Sequence, residues 1–200
     1  MPASLTPGIF LIASLGLEED PNFGRAVVLI LQHSAEDGTF GLVVNRPLGD
    51  RAALYASRQL QHLAEGLDLD EGGADSLFHQ GGPVQPGYLL FLHRLDDLDD
   101  EERGTQVCPG LFVGGDLDAI RGRTGVAAST QPLLRFYLGY SGWAAGQLEA
   151  EIAMDSWVLS PATAELVFSR HPESVWQQAL YGLGGRYRSL SFLPEDPIVN

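Results

Sequence analysis

Ser141, Glu149, Glu151, three strand-end histidines and an arginine before a proline are the residues of this chain with chemistry in them. Ser141 sits in Gly139-Tyr140-Ser141-Gly142, where a strand-like run meets a helix-like one. That is the setting of a nucleophile elbow, Gly-x-Ser-x-Gly. Position 143 is Trp, which fails the pattern and would obstruct the sharp turn, and His171, beside Pro172, is the one histidine that follows the serine. A serine hydrolase is therefore not expected. Glu149 and Glu151, two apart, point in different directions on a helix and cannot form an acid–base pair. Gln147 and Glu151, four apart, share a face. Gln147 is expected to bond backbone near the turn, and Glu151 to meet an arginine such as Arg135. His33, His79 and His93 lack His-x-x-x-His or Cys-x-x-Cys partners, so bonds to backbone carbonyls are expected rather than a metal. Cys108 reads as a packed, inert thiol. No catalytic residue, metal or cofactor is assigned.

Two loops carry strong signals of irregular backbone. In Asn45-Arg46-Pro47 the proline forces an extended approach. In Gly81-Gly82-Pro83 the glycines permit tight turns or close approach of another group. If both loops meet a turn at 140–143, Arg46 and Trp143 would frame a polar cleft, with the guanidinium gripping a carboxylate or phosphate. The candidate binding surface is Asn45, Arg46, Gly81, Gly82, Pro83, Tyr140, Gly142, Trp143 and Gln147. The other reading is that all three loops are turns the fold requires.

Composition excludes several functions. All 12 basic residues are arginines, against 26 acidic ones, for a net charge of −14. Without lysine there is no P-loop lysine, Schiff base or Ser-Lys dyad. The negative charge is a poor footprint for phosphate backbones. The helices expected over 161–184 carry only Arg170, so no basic recognition helix can be placed and direct nucleic-acid binding is not expected. One cysteine allows no internal disulfide. The apolar stretch 9–17 has no basic residue before it, and 26–31 is far shorter than the roughly 20 residues that span a bilayer. A cytoplasmic protein without a membrane partner is expected.

Periodicity then supplies the elements. Strands are expected at 8–13, 25–33 (buried on both faces) and 39–45, the last two joined by an Asp-Gly turn. A helix over 50–65 and an acidic loop over 68–75 follow. Short strands are expected near 77–79 and 88–93, a solvated loop over 96–103, a strand over 106–113 and a short helix over 116–121. A strand from 134 breaks at Ser141-Gly142, and a helix (144–154) and a strand (156–159) complete a βαβ-like unit. Ser160 caps a helix over 162–169, Pro172 starts another that closes at Gly184-Gly185, and an extended tail runs from 186 to 200. Interspersed strands and helices with an early hairpin give a single α+β domain with a mixed sheet.

The segment GYSGWAAGQLEAEI at 139–152 with Trp157 resembles the signature of the YqgE/AlgH family of small bacterial proteins. Matching stretches fall in family order: DPNFGRAVVLILQH at 20–33, GLVVNRPL at 41–48, GGPV at 81–84 and LFLH at 90–93. The resemblance covers about Gly8 to Gly184, placing the domain at 1–185 with 186–200 as a tail packed on it. It implies a branched sheet partly closed into a small barrel with helices around it, and a role in transcriptional regulation. Three classes of function remain open. One is a regulatory binding protein that contacts a protein partner or a small anionic ligand. The second is a hydrolase or transferase whose anionic substrate is held by Arg46. The third is a scaffold.

Overall fold

The computed structural model describes residues 4–49, 77–124 and 132–193. The helix expected over 50–65 and the acidic loop over 68–75 lie outside these. The strands are β1 (Ile9–Ala13), β2 (Val27–Ser34), β3 (Gly38–Val43), β4 (Phe78–Gln80), β5 (Val84–His93), β6 (Thr105–Cys108), β7 (Leu111–Val113), β8 (Leu134–Trp143) and β9 (Trp157–Pro161). The helices are α1 (Asp100–Arg103), α2 (Leu117–Thr124), α3 (Gln147–Ala153), α4 (Ala164–Val167), α5 (Val175–Leu183) and α6 (Gly185–Leu190). The strands form one sheet in the order β6-β7-β5-β8-β3-β2-β1-β9, with β4 also on β8. Only the β4–β8 pairing is parallel.

Alternation of side chains puts β1 and β2 between two cores. Phe10, Ile12, Val27 and Leu29 face one, beneath Val167, Trp176 and Leu180 of α4 and α5. Leu11, Ala13, Val28 and Ile30 face the other, beneath Leu148 of α3 with Trp143 and Trp157. This is why 27–30 is an unbroken apolar run: each side chain gains about 1.5–3 kcal/mol by leaving water, whichever way it points. The first core also gathers Val107 of β6 and Ala162 beyond β9, so the two ends of the sheet curl toward each other. A third core packs Phe136 of β8 with Phe78, Leu95 and Ile120.

β8 is the branch point. It pairs with β5 along most of its length, with β4 through Phe136–Leu138, and with β3 through Ser141–Trp143. The strand does not break at Ser141-Gly142. At Gly139, with φ +68°, the register against β5 jumps (Tyr140 opposes Val84 and Leu138 opposes Leu89), a bulge whose extra residues belong to β5, and the inside–outside alternation of β8 inverts there. Tyr137 faces the first core before the bulge and Tyr140 packs against it after, leaving Trp143 to the second core. β8, α3 and β9 do form a βαβ unit, but its strands are separated by β3, β2 and β1.

Four further expectations are corrected. Residues 106–113 are two strands, β6 and β7, hairpinned at Pro109-Gly110 where Gly110 has φ +70°. The acidic run closes in a helical turn, α1, with Arg103 in its last turn. α4 is capped by Thr163, whose hydroxyl accepts from Leu166 N at 3.3 Å, because residues through Pro161 still pair with β1. The chain past Gly184 is helical at Gly185–Leu190 rather than extended, and Tyr187 and Leu190 pack onto the first core. No helix among the described residues is long and apolar enough to cross a membrane.

Candidate functional site

The loop between β1 and β2 is fixed to the exit of β3 by two side chains. Asn45 acts as a surrogate strand residue, its Oδ1 accepting from Val27 N at 2.8 Å and its Nδ2 donating to Arg25 O at 2.9 Å. Arg46 donates to Pro21 O at 3.2 Å and to Gly24 O at 3.0 Å. Partial burial makes the guanidinium easier to deprotonate than usual, and nearby Asp20 opposes that. Asp20 shapes the loop, its carboxylate accepting from Asn22 N at 2.8 Å and Phe23 N at 2.9 Å. The chain then runs antiparallel to β4, with Gln80 N donating to Arg46 O and Leu48 N to Phe78 O.

These contacts leave an elongated groove made of three adjoining depressions. The largest, 540 Å³, lies between Asn22, Arg46, Leu48 and Gln80, with Glu173 at its rim. It shares Asn45, Arg46 and Glu173 with one of 300 Å³ that reaches Glu18 and Arg25. On the other side it shares Asn22, Leu48 and Gln80 with one of 260 Å³ walled by Pro83, Pro86 and Leu138. One end of the groove is charged and the other is apolar and proline-rich.

Four of the nine expected surface residues, Asn45, Arg46, Gly82 and Pro83, line this groove. Gly81 contributes backbone beside it, donating to Leu138 O and accepting from Val43 N, both at 2.8 Å. The expected pairing of Arg46 with Trp143 does not occur. Trp143 is buried in the second core, because the bulge at Gly139 turns it there. Gly142 pairs with Phe40 inside the sheet, and Tyr140 packs between Phe40 and Tyr88 at ring distances of 4.7 and 5.8 Å. Ser141 is fully buried and donates to Gly81 O at 3.3 Å, so it is no exposed nucleophile. Asn22, Gln80 and Glu173 were not singled out in the sequence. Glu173 lies more than 120 residues from Arg46 in the chain, and no local pattern brings them together.

Gln147 does bond backbone at the strand end, accepting from Ala144 N at 3.1 Å, and its amide donates to Glu151 at 2.9 Å. Among the described residues Glu151 meets no arginine. Its Oε2 accepts from both indoles, Trp143 Nε1 at 2.9 Å and Trp157 Nε1 at 2.7 Å. Phe23 closes the cluster, 5.8 Å from Trp143 and 5.4 Å from Trp157. The loop that Arg46 holds thus offers Asn22 to the groove and Phe23 to the tryptophans. Arg135 is fully buried on the opposite face, where it donates to Val167 O and Ser169 O and so caps the end of α4.

Among the described residues no three of His, Cys, Asp and Glu converge on a common point. His93 follows the carbonyl expectation: Leu95 N donates to its Nδ1 at 3.2 Å, leaving Nε2–H to donate to Arg103 O at 2.9 Å. His33 instead bonds Thr39 Oγ1 at 2.8 Å. His79 is fully buried against Tyr137, with neither ring nitrogen hydrogen-bonded. Burial, then the Arg135 charge, hold its pKa well below the usual 6.5, and burial also lowers that of His93 against its bonds to the Arg103 and Gly114 carbonyls. Cys108 is likewise harder to ionise, through burial and then Glu165. For both histidines the unfolded chain takes up protons first as pH falls below about 6.5. Stability is therefore full above that pH and is lost below it. The urea midpoint should fall between about pH 7.5 and pH 5, with a shallower slope in His79→Leu. An unchanged slope would show that His79 does not carry the effect.

The comparisons with known proteins cover nearly the whole chain. An AlgH-like family model matches residues 10–188. A UPF0301 protein of Chlamydia caviae is 36% identical over 200 residues, spanning 99% of this chain and 97% of its own. One of Myxococcus xanthus is 41% identical over 184 residues, spanning 90% and 92%. The crystal structure of a Corynebacterium diphtheriae protein superposes with TM-score 0.74 at 22% identity, covering 96% and 95% of the two chains, a likeness of fold. The solution structure of AlgH from Pseudomonas aeruginosa superposes with TM-score 0.61 at 28% identity, covering 97% and 98%. A mixed α/β single domain with a curled, largely antiparallel half-barrel sheet is common to them, and the chain belongs to the AlgH-like UPF0301 family.

Proposed function

We propose that this protein is a cytoplasmic regulatory binding protein that holds an extended segment of a protein partner in the Arg46 groove and influences transcription through that partner rather than by touching DNA. The observation that carries the reading is the groove's form: three adjoining depressions in a row, charged at the Arg46 end and proline-rich at the Pro83–Pro86 end. An extended polypeptide with an anionic side chain at one end and apolar ones at the other complements it. The lining side chains are amides, charges and hydrocarbon, which hold rather than transform. A net charge of −14 favours a partner other than a nucleic acid.

The test is site-directed photo-crosslinking in cells. A photoreactive residue at Gln80, on the groove floor, should give a discrete adduct, and one at the exposed Met154 should not. The adduct should strengthen in Glu173→Arg, a rim change that exchanges a negative charge for a positive one beside the segment's anionic end. Equal adducts at both positions, or one indifferent to Glu173→Arg, would remove the groove from the function.

Arg46 carries five N–H groups and donates two to the loop, which supports a second reading in which it grips a small anionic substrate for hydrolysis or transfer. Turnover of generic ester or phosphate substrates that vanishes in Arg46→Ala would favour it over the first.

A further inference from the structure

A separate cavity of 310 Å³ lies where the end of β1 and the start of β9 meet α5 and α6. Its partly exposed apolar lining is Leu15, Val158, Tyr187 and Leu190, with the buried Trp176 and Leu180 beneath, and its polar side chains include Asp155 and Arg186. The indole N–H groups beside it are committed elsewhere, Trp176 Nε1 to Ala13 O at 2.8 Å and Trp157 Nε1 to Glu151 at 2.7 Å. The open carbon surface comes from Leu15, Val158 and Leu190, which water covers poorly and an apolar group covers well.

The two charges are exposed, opposite in sign and independently held. Asp155 is placed by a left-handed backbone, φ +57°, with its N–H on Ile152 O at 3.0 Å. Arg186 donates to Tyr187 Oη at 2.8 Å and stands 4.8 Å above that ring. The two form no ion pair with each other among the described residues, so each keeps capacity for a ligand. Arg186 nevertheless holds its proton more tightly than usual, first through Tyr187 and more weakly through the field of Asp155.

We propose that this cavity binds a free α-amino acid with an apolar side chain. The ammonium meets Asp155, the carboxylate meets Arg186, and the side chain lies against Leu15, Val158 and Leu190. An α-amino acid is the small molecule that carries one charge of each sign on a single carbon beside a hydrocarbon group. The volume admits leucine or phenylalanine, near the lower bound of small-ligand sites, about 300 Å³. The inference is independent of the groove.

The experiment is titration of the full chain with L-leucine and L-phenylalanine, followed by tryptophan fluorescence and calorimetry. Saturable binding is expected, weakened about tenfold or more in leucinamide, which lacks the carboxylate, and in N-acetyl-leucine, which lacks the ammonium. Arg186→Gln and Asp155→Asn should each weaken leucine to a similar extent. Both are surface changes, and asparagine accepts the left-handed backbone at 155. Gln80→Arg, in the groove, should leave leucine binding unchanged, so failure of one site is distinguishable from failure of the other. No saturable signal, equal binding of the two derivatives, or indifference to both cavity variants would overturn the assignment.

Discussion

Gly82→Ala is expected to leave almost no folded protein. A Cβ at this position would stand 2.3 Å from both the carbonyl carbon and the oxygen of Tyr140, and 2.5 Å from Ser141 N. All three are backbone atoms of β8, which is held by strands on both sides and cannot retreat. The neighbouring Gly81 is in the same position, 2.3 Å from Gly139 O. Overpacking against immobile backbone belongs to the rare class of substitutions costing more than about 4 kcal/mol, which is most of the roughly 5–15 kcal/mol that holds a domain together. Gly87→Ala is the matched control: nothing lies within 4 Å of its Cβ, and its stability should change by less than about 0.5 kcal/mol. Urea denaturation and the yield of folded protein check both. A cooperative Gly82→Ala variant within about 1 kcal/mol of the parent would show that β8 does yield.

Glu151→Leu should lower stability by about 4 kcal/mol. One carboxylate oxygen accepts from two buried indoles, and the other oxygen takes the Gln147 amide. Hydrogen bonds to a charged acceptor contribute about 1.5–3 kcal/mol each, and leucine would strand two indole N–H groups where water does not reach. Glu151→Gln keeps one acceptor oxygen and should cost about half as much. For a chain of this size the Leu variant should melt about 8–16 °C lower. Calorimetry decides: a shift of under about 3 °C would mean the tryptophans find other acceptors. Phe23 stacks on Trp143 and meets Trp157 edge-to-face, and its loop is the one held by Arg46. The same substitution should therefore loosen the groove from its far side.

The sheet was legible where a short pattern carries the cause. The run 27–30 is apolar at every step because both faces of β2 are covered, and the Asp-Gly turn sets the β2–β3 hairpin. The helix at 175–183 announced itself through Val175, Trp176 and Ala179 on one face. What stayed hidden depends on partners distant in the chain. Gly139 reads as an ordinary glycine, yet the inversion of β8 there puts Trp143, with its partner Glu151, on the side opposite Arg135, the arginine Glu151 was expected to meet. Pro109-Gly110 splits one apparent strand into two, a turn outweighed by the apolar residues flanking it. Half of the groove was visible because Arg46 and Pro83 sit in loops that name themselves. Glu173 and Gln80 join it only after the sheet has curled, and no spacing encodes that.

β1 pairs with β9 along its whole length, and among the described residues β9 pairs with no other strand. β1 thus finds one of its two neighbours about 145 residues later in the chain, and the branching strand β8 also follows far behind it. Until then β1 and β2 present Phe10, Leu11, Val28 and Leu29 to solvent with one side of the ladder open, the kind of edge that recruits stray chains. Closing so many distant pairings is also slow. The sheet is complete only once the segment from α3 to β9 has joined it, and the vulnerable interval lasts until then.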